Sequence, residues 1–116
     1  LCAAGFDPAV PTFWLLQGLA MSVSHDVNDK LLQQIDRLSG RGSQLCAGFI
    51  ADVSIFPDEF TPAFSPSRDE YCAMLRKHGW SGDVVAARYG DASLNFGRYP
   101  SDREPDESQC FVLAER

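Results

Sequence analysis

No apolar run in this chain is long enough to cross a bilayer. The longest candidate, residues 9–21, is broken by Pro11, Gln17 and Gly18 and falls short of the roughly 20 residues a span needs. Basic clusters are missing too. Ten Lys and Arg lie scattered against sixteen Asp and Glu, a net charge of −6, which argues against a nucleic-acid partner held by its phosphates. The densest charge is acidic, Asp102-Arg103-Glu104-Pro105-Asp106-Glu107, and reads as a solvated loop between strands. Histidine occurs twice, too rarely for a hydrolytic metal centre with three ligands. Asp26, Asn28 and Asp29 lack the glycine and distal glutamate of a calcium loop. There is no G-x-S-x-G elbow and no phosphate-cradling glycine loop. The four cysteines, Cys2, Cys46, Cys72 and Cys110, include no closely spaced pair, which excludes the usual zinc and redox motifs. Cys46 and Cys110 lie in apolar runs, as reduced thiols of a cytoplasmic protein do. The chain also begins without an initiator Met or the basic flank of a signal peptide. Leu1-Cys2-Ala3-Ala4-Gly5 reads as a start truncated upstream.

What is present suffices for one α/β domain with a core. Thr12-Phe13-Trp14-Leu15-Leu16 is short, aromatic and continuously apolar, the pattern of a buried strand; a helix over 11–21 is the competing reading. Val27, Leu31, Leu32, Ile35 and Leu38 define one stripe of a helix over 26–39, with Ser24 or Asp26 as N-cap and Gly40 as its left-handed stop. Residues 45–56, apolar except for Asp52, predict a central strand buried on both faces. After a proline-rich loop, Ser67-Arg68-Asp69-Glu70 has the form of a capping box. It opens a helix through Tyr71, Met74 and Leu75 that ends at Lys77-His78-Gly79. Val84-Val85-Ala86-Ala87 and Cys110-Phe111-Val112-Leu113-Ala114 complete the set, the latter as an internal strand.

The order is strand, helix, strand, helix, strand, strand. Helical crossovers imply parallel pairing, and the last two strands, lacking a long enough crossover, are expected to pair antiparallel.

One stretch narrows the reading. Gly5-Phe6-Asp7-Pro8, then Pro11-Thr12 leading through Phe13-Trp14-Leu15-Leu16 to Gln17-Gly18-Leu19-Ala20-Met21, resembles the leucine carboxyl methyltransferase-like family of class I S-adenosylmethionine-dependent methyltransferases. There a G-F-D-P loop and a Pro-Thr pair enter the fourth strand, which ends in a Glu-Gly-Leu-type turn and a Met-Tyr pair. Leu38-Ser39, Gly42-Ser43, Leu75-Arg76-Lys77-His78-Gly79-Trp80, Arg88-Tyr89-Gly90 and Phe96-Gly97-Arg98 follow in the family's order.

The resemblance implies the C-terminal half of a Rossmann-like sheet whose last strand runs antiparallel, a single partial domain over 1–116 that lacks the N-terminal cofactor-binding glycine loop. It implies S-adenosylmethionine as cofactor and methyl transfer to oxygen, on a carboxylate or a small-molecule hydroxyl. Gln17, Gly18 and Leu19 stand at the cofactor-binding positions; Ser22 and Asp52 are the substrate-side candidates. Catalytic residues are not implied, and this chain alone is expected to be inactive. The expected partner is the N-terminal half of the same protein, or a second copy, paired across the open first strand. Gln17 replaces a family Glu and removes charge assistance from a hydrogen bond to the cofactor's amino group. Ser22 stands where the family commonly has an aromatic. A catalytically weakened relative and a small acidic interaction domain, steered to a basic partner by its charge, are the alternative readings.

Overall fold

The computed structural model describes residues 1–50, 52–55, 57, 59, 61–80, 85–89 and 106–116, with 55, 85–89 and 106–109 described by their backbone alone. Strands β1 (Phe13–Leu16), β2 (Gln44–Ile50), β3 (Val85–Tyr89) and β4 (Asp106–Glu115) form one sheet. Helix α1 (His25–Arg37) links β1 to β2, and α2 (Arg68–Lys77) lies between β2 and β3. The sheet order is β1-β2-β4-β3. β1 and β2 are parallel, as a helical crossover requires, and β4 runs antiparallel to both β2 and β3. The antiparallel last pair follows expectation. The insertion of β4 between β2 and β3 does not follow from connection length.

Because side chains alternate along a strand, register decides which residues share a face. Trp14 and Leu16 lie beside Leu45 and Ala47, which lie beside Ala114 and Val112. That face packs on α1 and α2: Leu16, Leu45, Ala47, Phe49, Cys110, Val112 and Ala114 are buried in one cluster with Leu32, Ile35, Tyr71, Met74 and Leu75. Phe49 and Tyr71 stack with ring centroids 4.7 Å apart. The opposite face is more open. Phe13 and Leu15 there are each 59% exposed and Leu113 is 37% exposed. Gly48 makes room on this face, since a Cβ on it would meet the Phe111 ring at 3.1 Å.

Several sequence expectations are corrected by this arrangement. β1 is an edge strand with one outward apolar side, so it is not buried on both faces. β2 ends at Ile50; Asp52 lies beyond it, before a 3-10 turn over Val53–Ile55. β4 begins at Asp106, so the acidic stretch is partly strand, while 102–105 lie outside the described residues. Val84, Gly90 and Phe96-Gly97-Arg98 also lie outside them. Within the internal strand β4, Val112 is buried and Leu113 faces outward.

The first helix is phased differently from its apparent stripe. Val27 is 48% exposed, and Asn28 joins Leu32 and Ile35 on the buried face. Ser24 occupies the N-cap position without a side-chain cap bond. Gly40 is not left-handed; it is required because a Cβ there would lie 2.8 Å from the Ala9 carbonyl oxygen. The second helix behaves as read. Ser67 and Glu70 form the reciprocal capping box, and Gly79 ends the helix with φ +83°.

The two helices are clamped by charge. Lys77 Nζ and His78 Nε2 both donate to Asp29 Oδ1 at 2.8 Å. The Lys77 bond first and the His78 bond second pull the Asp29 carboxyl from 3.8 down to about 2. A carboxyl depressed on folding stabilises above its unfolded value and loses that contribution as pH falls through the folded one. Asp29→Asn is therefore expected to weaken the protein at neutral pH. The deficit against wild type should shrink between 3.8 and about 2, as read by urea unfolding across that window.

Candidate functional site

In open sheets with parallel strands, ligands sit outside the carboxyl ends of the strands, where loops diverge. In this chain that edge is formed by the residues following β1 and β2. β1 stops at Leu16, whose partner is Ala47, and β2 continues through Gly48, Phe49 and Ile50. The edge is therefore stepped by three residues, about 10 Å of strand rise.

Gln17, Gly18 and Leu19 form the lower step. All three are exposed, Leu19 at 38%. Gly18 has φ +65°, a left-handed conformation that a side chain would strain, and open space lies where its Cβ would project. The chain then enters a 3-10 turn over Ala20–Ser22 that is anchored by Ala20, 1% exposed. Ser22 Oγ donates to the Gly18 carbonyl at 3.0 Å, closing the turn on itself. The Ala63 amide donates to the Met21 carbonyl at 2.9 Å and ties the turn to the loop after β2.

Asp52 lies on the upper step, two residues past β2, and is exposed. Its carboxylate accepts the Ser54 amide at 2.9 Å, and that bond holds its carboxyl below the usual range. Gln17, Gly18, Leu19 and Ser22 are thus gathered in one turn. Asp52 shares their edge but extends from the neighbouring strand. The edge is acidic, with Asp26 in the first turn of α1 and Asp69 and Glu70 in that of α2, where helix dipoles favour negative charge.

Sequence reading missed Asn28. Its side-chain amide donates to the carbonyls of Ala20 at 2.9 Å, Val23 at 3.0 Å and Ser24 at 3.1 Å, from the start of the turn to the N-cap of α1. The available signal was an asparagine four residues before Leu32 and seven before Ile35, the spacing of a buried face.

Between the helices is a groove of about 290 Å³, lined by residues that include His25, Asp29, Phe64, Glu70, Met74 and Lys77. Its carboxylates are engaged, Asp29 by Lys77 and His78 and Glu70 by Ser67. Among the described residues, no group of three or more His, Cys, Asp or Glu could hold a metal ion, and no helix is long and apolar enough to cross a membrane.

No family model matches the chain. A Mycobacterium avium protein provisionally named an S-adenosyl-L-methionine-dependent methyltransferase is 35% identical over 89 residues, which cover 77% of this chain and 27% of that protein. A Mycobacterium ulcerans protein of the same provisional name is 34% identical over 103 residues, 89% of this chain and 31% of its own length. The chain therefore spans less than a third of either relative. A solved Nostoc punctiforme structure, provisionally described as an O-methyltransferase, superposes with a TM-score of 0.54 at 13% identity, over 93% of this chain and 33% of that one. The chain shares the Rossmann-like α/β fold of that part of the Nostoc protein.

Proposed function

We propose that this chain is the C-terminal part of an S-adenosylmethionine-dependent O-methyltransferase of the leucine carboxyl methyltransferase-like type. The acceptor is a carboxylate or a small-molecule hydroxyl. The observation that carries the reading is the exposed Gln17-Gly18-Leu19 turn at the carboxyl end of a strand parallel to its neighbour. The names of the mycobacterial relatives support it.

The residues present fit such a cofactor. The left-handed Gly18 leaves open space for a ligand to approach the backbone. Leu19 adds exposed apolar surface, and the Gln17 carbonyl is free in kind to accept from an ammonium group. The acidic edge suits a cation. The cofactor would supply an activated methyl group, and the protein's task is to orient it against the acceptor oxygen while excluding water. Ser22 and Asp52 belong to the substrate side of this reading. The glycine-rich loop that would complete the cofactor site lies in the N-terminal half, which pairs with the open side of β1. An exposed apolar edge strand is otherwise a template for association. The assembled protein is cytoplasmic.

Gln17 favours a second reading, a weakened relative, because a neutral acceptor forms a weaker bond to an ammonium than a carboxylate does. One titration addresses both. Calorimetry of S-adenosylmethionine against the full-length protein is expected to show weak binding, tightened about tenfold by Gln17→Glu. Unchanged or weaker affinity in the variant would remove Gln17 from the cofactor contacts. Heat from neither protein would overturn the cofactor assignment.

A further inference from the structure

We infer that Asn28 is the positioning residue of the cofactor turn, fixing Gly18–Ser24 from behind without touching the ligand. This inference rests on the cofactor reading of Gln17-Gly18-Leu19. Asn28 is 1% exposed on the helix face it shares with Leu32 and Ile35. An amide at that depth is costly unless its polar atoms are bonded, and its Nδ2 has three acceptors within 3.1 Å. Two hydrogens are thus shared among the carbonyls of Ala20, Val23 and Ser24. These are the residues through which the chain passes from the turn into α1.

The other ties on this segment leave that role to Asn28. Ser24 makes no side-chain cap bond, so the entry angle of the chain is not set in the usual way. The Ser22 bond to Gly18 is internal to the turn, and the Ala63 bond reaches only Met21. Asn28 alone among the described residues joins the turn, the connecting residues and the helix. Because Gln17 lies directly before this segment and Leu19 within it, their orientation follows from where it is held.

The test uses two substitutions at Asn28 in the full-length protein. Asn28→Leu removes both donors and puts methyl groups against the carbonyls of Ala20, Val23 and Ser24, so Tm is expected to fall. Ile35→Val, on the same buried face, is the control for stability lost without a lost donor. Asn28→Asp keeps the shape and, when ionised, has no donor to offer. Both are expected to speed amide hydrogen exchange across residues 18–24 and to weaken S-adenosylmethionine binding about tenfold. Affinity that falls in Asn28→Leu but not in Ile35→Val at a comparable loss of Tm is a result that a merely structural role would not give. Unchanged exchange in 18–24 would overturn the inference, and so would faster exchange with unchanged affinity. If wild type itself binds no S-adenosylmethionine, the cofactor reading fails. Exchange then shows separately whether Asn28 holds the turn.

Discussion

Val112→Asp is expected to yield no folded protein. Val112 is fully buried on the strand that lies between β2 and β3, opposite Ala47 and Ala86. A carboxylate there would be surrounded by Leu45, Ala47 and the helix layer, without a cation to pair with among the buried core residues. Burying an unpaired charge costs several kcal/mol even after relaxation, and the lost valine burial adds about 1.5–3 kcal/mol. Against a typical stability of about 5–15 kcal/mol, the combined penalty consumes most of what a small domain has. Leu113→Asp is the internal control, because that side chain faces the open side of the sheet. It should remain soluble with a cooperative thermal transition by circular dichroism. A folded Val112→Asp variant, or equal failure of both, would mean that the assignment of the two sheet faces is wrong.

Trp80→Ala is expected to cost about 3–5 kcal/mol, the range for removing a buried indole, whereas Trp80→Phe should cost far less. Trp80 is fully buried just after α2. Its backbone amide donates to the Leu75 carbonyl at 3.1 Å across the left-handed Gly79, so its position is set by the way the helix ends. The indole Nε1 is buried with no hydrogen-bond partner among the described residues, and an orphaned buried donor carries a penalty of about 1–3 kcal/mol. Phenylalanine gives up some volume but also removes that orphan, and the two effects oppose each other. Urea unfolding of both variants separates the contributions. Equal losses would show that the indole N–H, and not the filling of space, is what the site requires.

Elements whose ends are written in local chemistry were legible from the residues. Ser67 and Glu70 announce the start of α2, and Gly79 its end, because caps and left-handed stops depend on the residues within one turn. The strand-helix alternation, and the antiparallel last pair with it, follows from connection lengths. What was not legible depends on neighbours distant in sequence. Val27 and Asn28 are adjacent, and either phase of α1 yields an amphipathic helix. Asn28 is buried because three carbonyls upstream can accept from its amide; its spacing to Leu32 and Ile35 marks the face, but nothing in that pattern shows the acceptors. Gly40 resembles a helix stop, yet its requirement comes from the Ala9 carbonyl pressing against it. The placement of Leu113 outside and Val112 inside is a matter of strand parity, invisible in a continuous apolar run. Of the candidate site, Gln17, Gly18, Leu19 and Ser22 came from family resemblance and proved to share one turn. Asp52 falls inside the apolar run that predicts a strand over 45–56, and its place beyond Ile50 reflects the shorter length of β2.

The sheet order also bears on how the protein is made. β4 follows β1, β2 and β3 along the chain, yet it lies between two of them. Until it emerges from the ribosome, β2 and β3 cannot occupy their final places, since the strand that hydrogen-bonds to both is still absent. The nascent chain must keep β2, with Leu45, Ala47 and Phe49, unzipped on its inner edge while α1 and α2 are already able to form. Helices form early and locally, and long-range strand pairing is slow. The sheet is therefore expected to close only once residues 106–115 have been made, with β2 sheltered by chaperones until then. Removing residues 106–115 would take away the middle of the sheet and leave its rim.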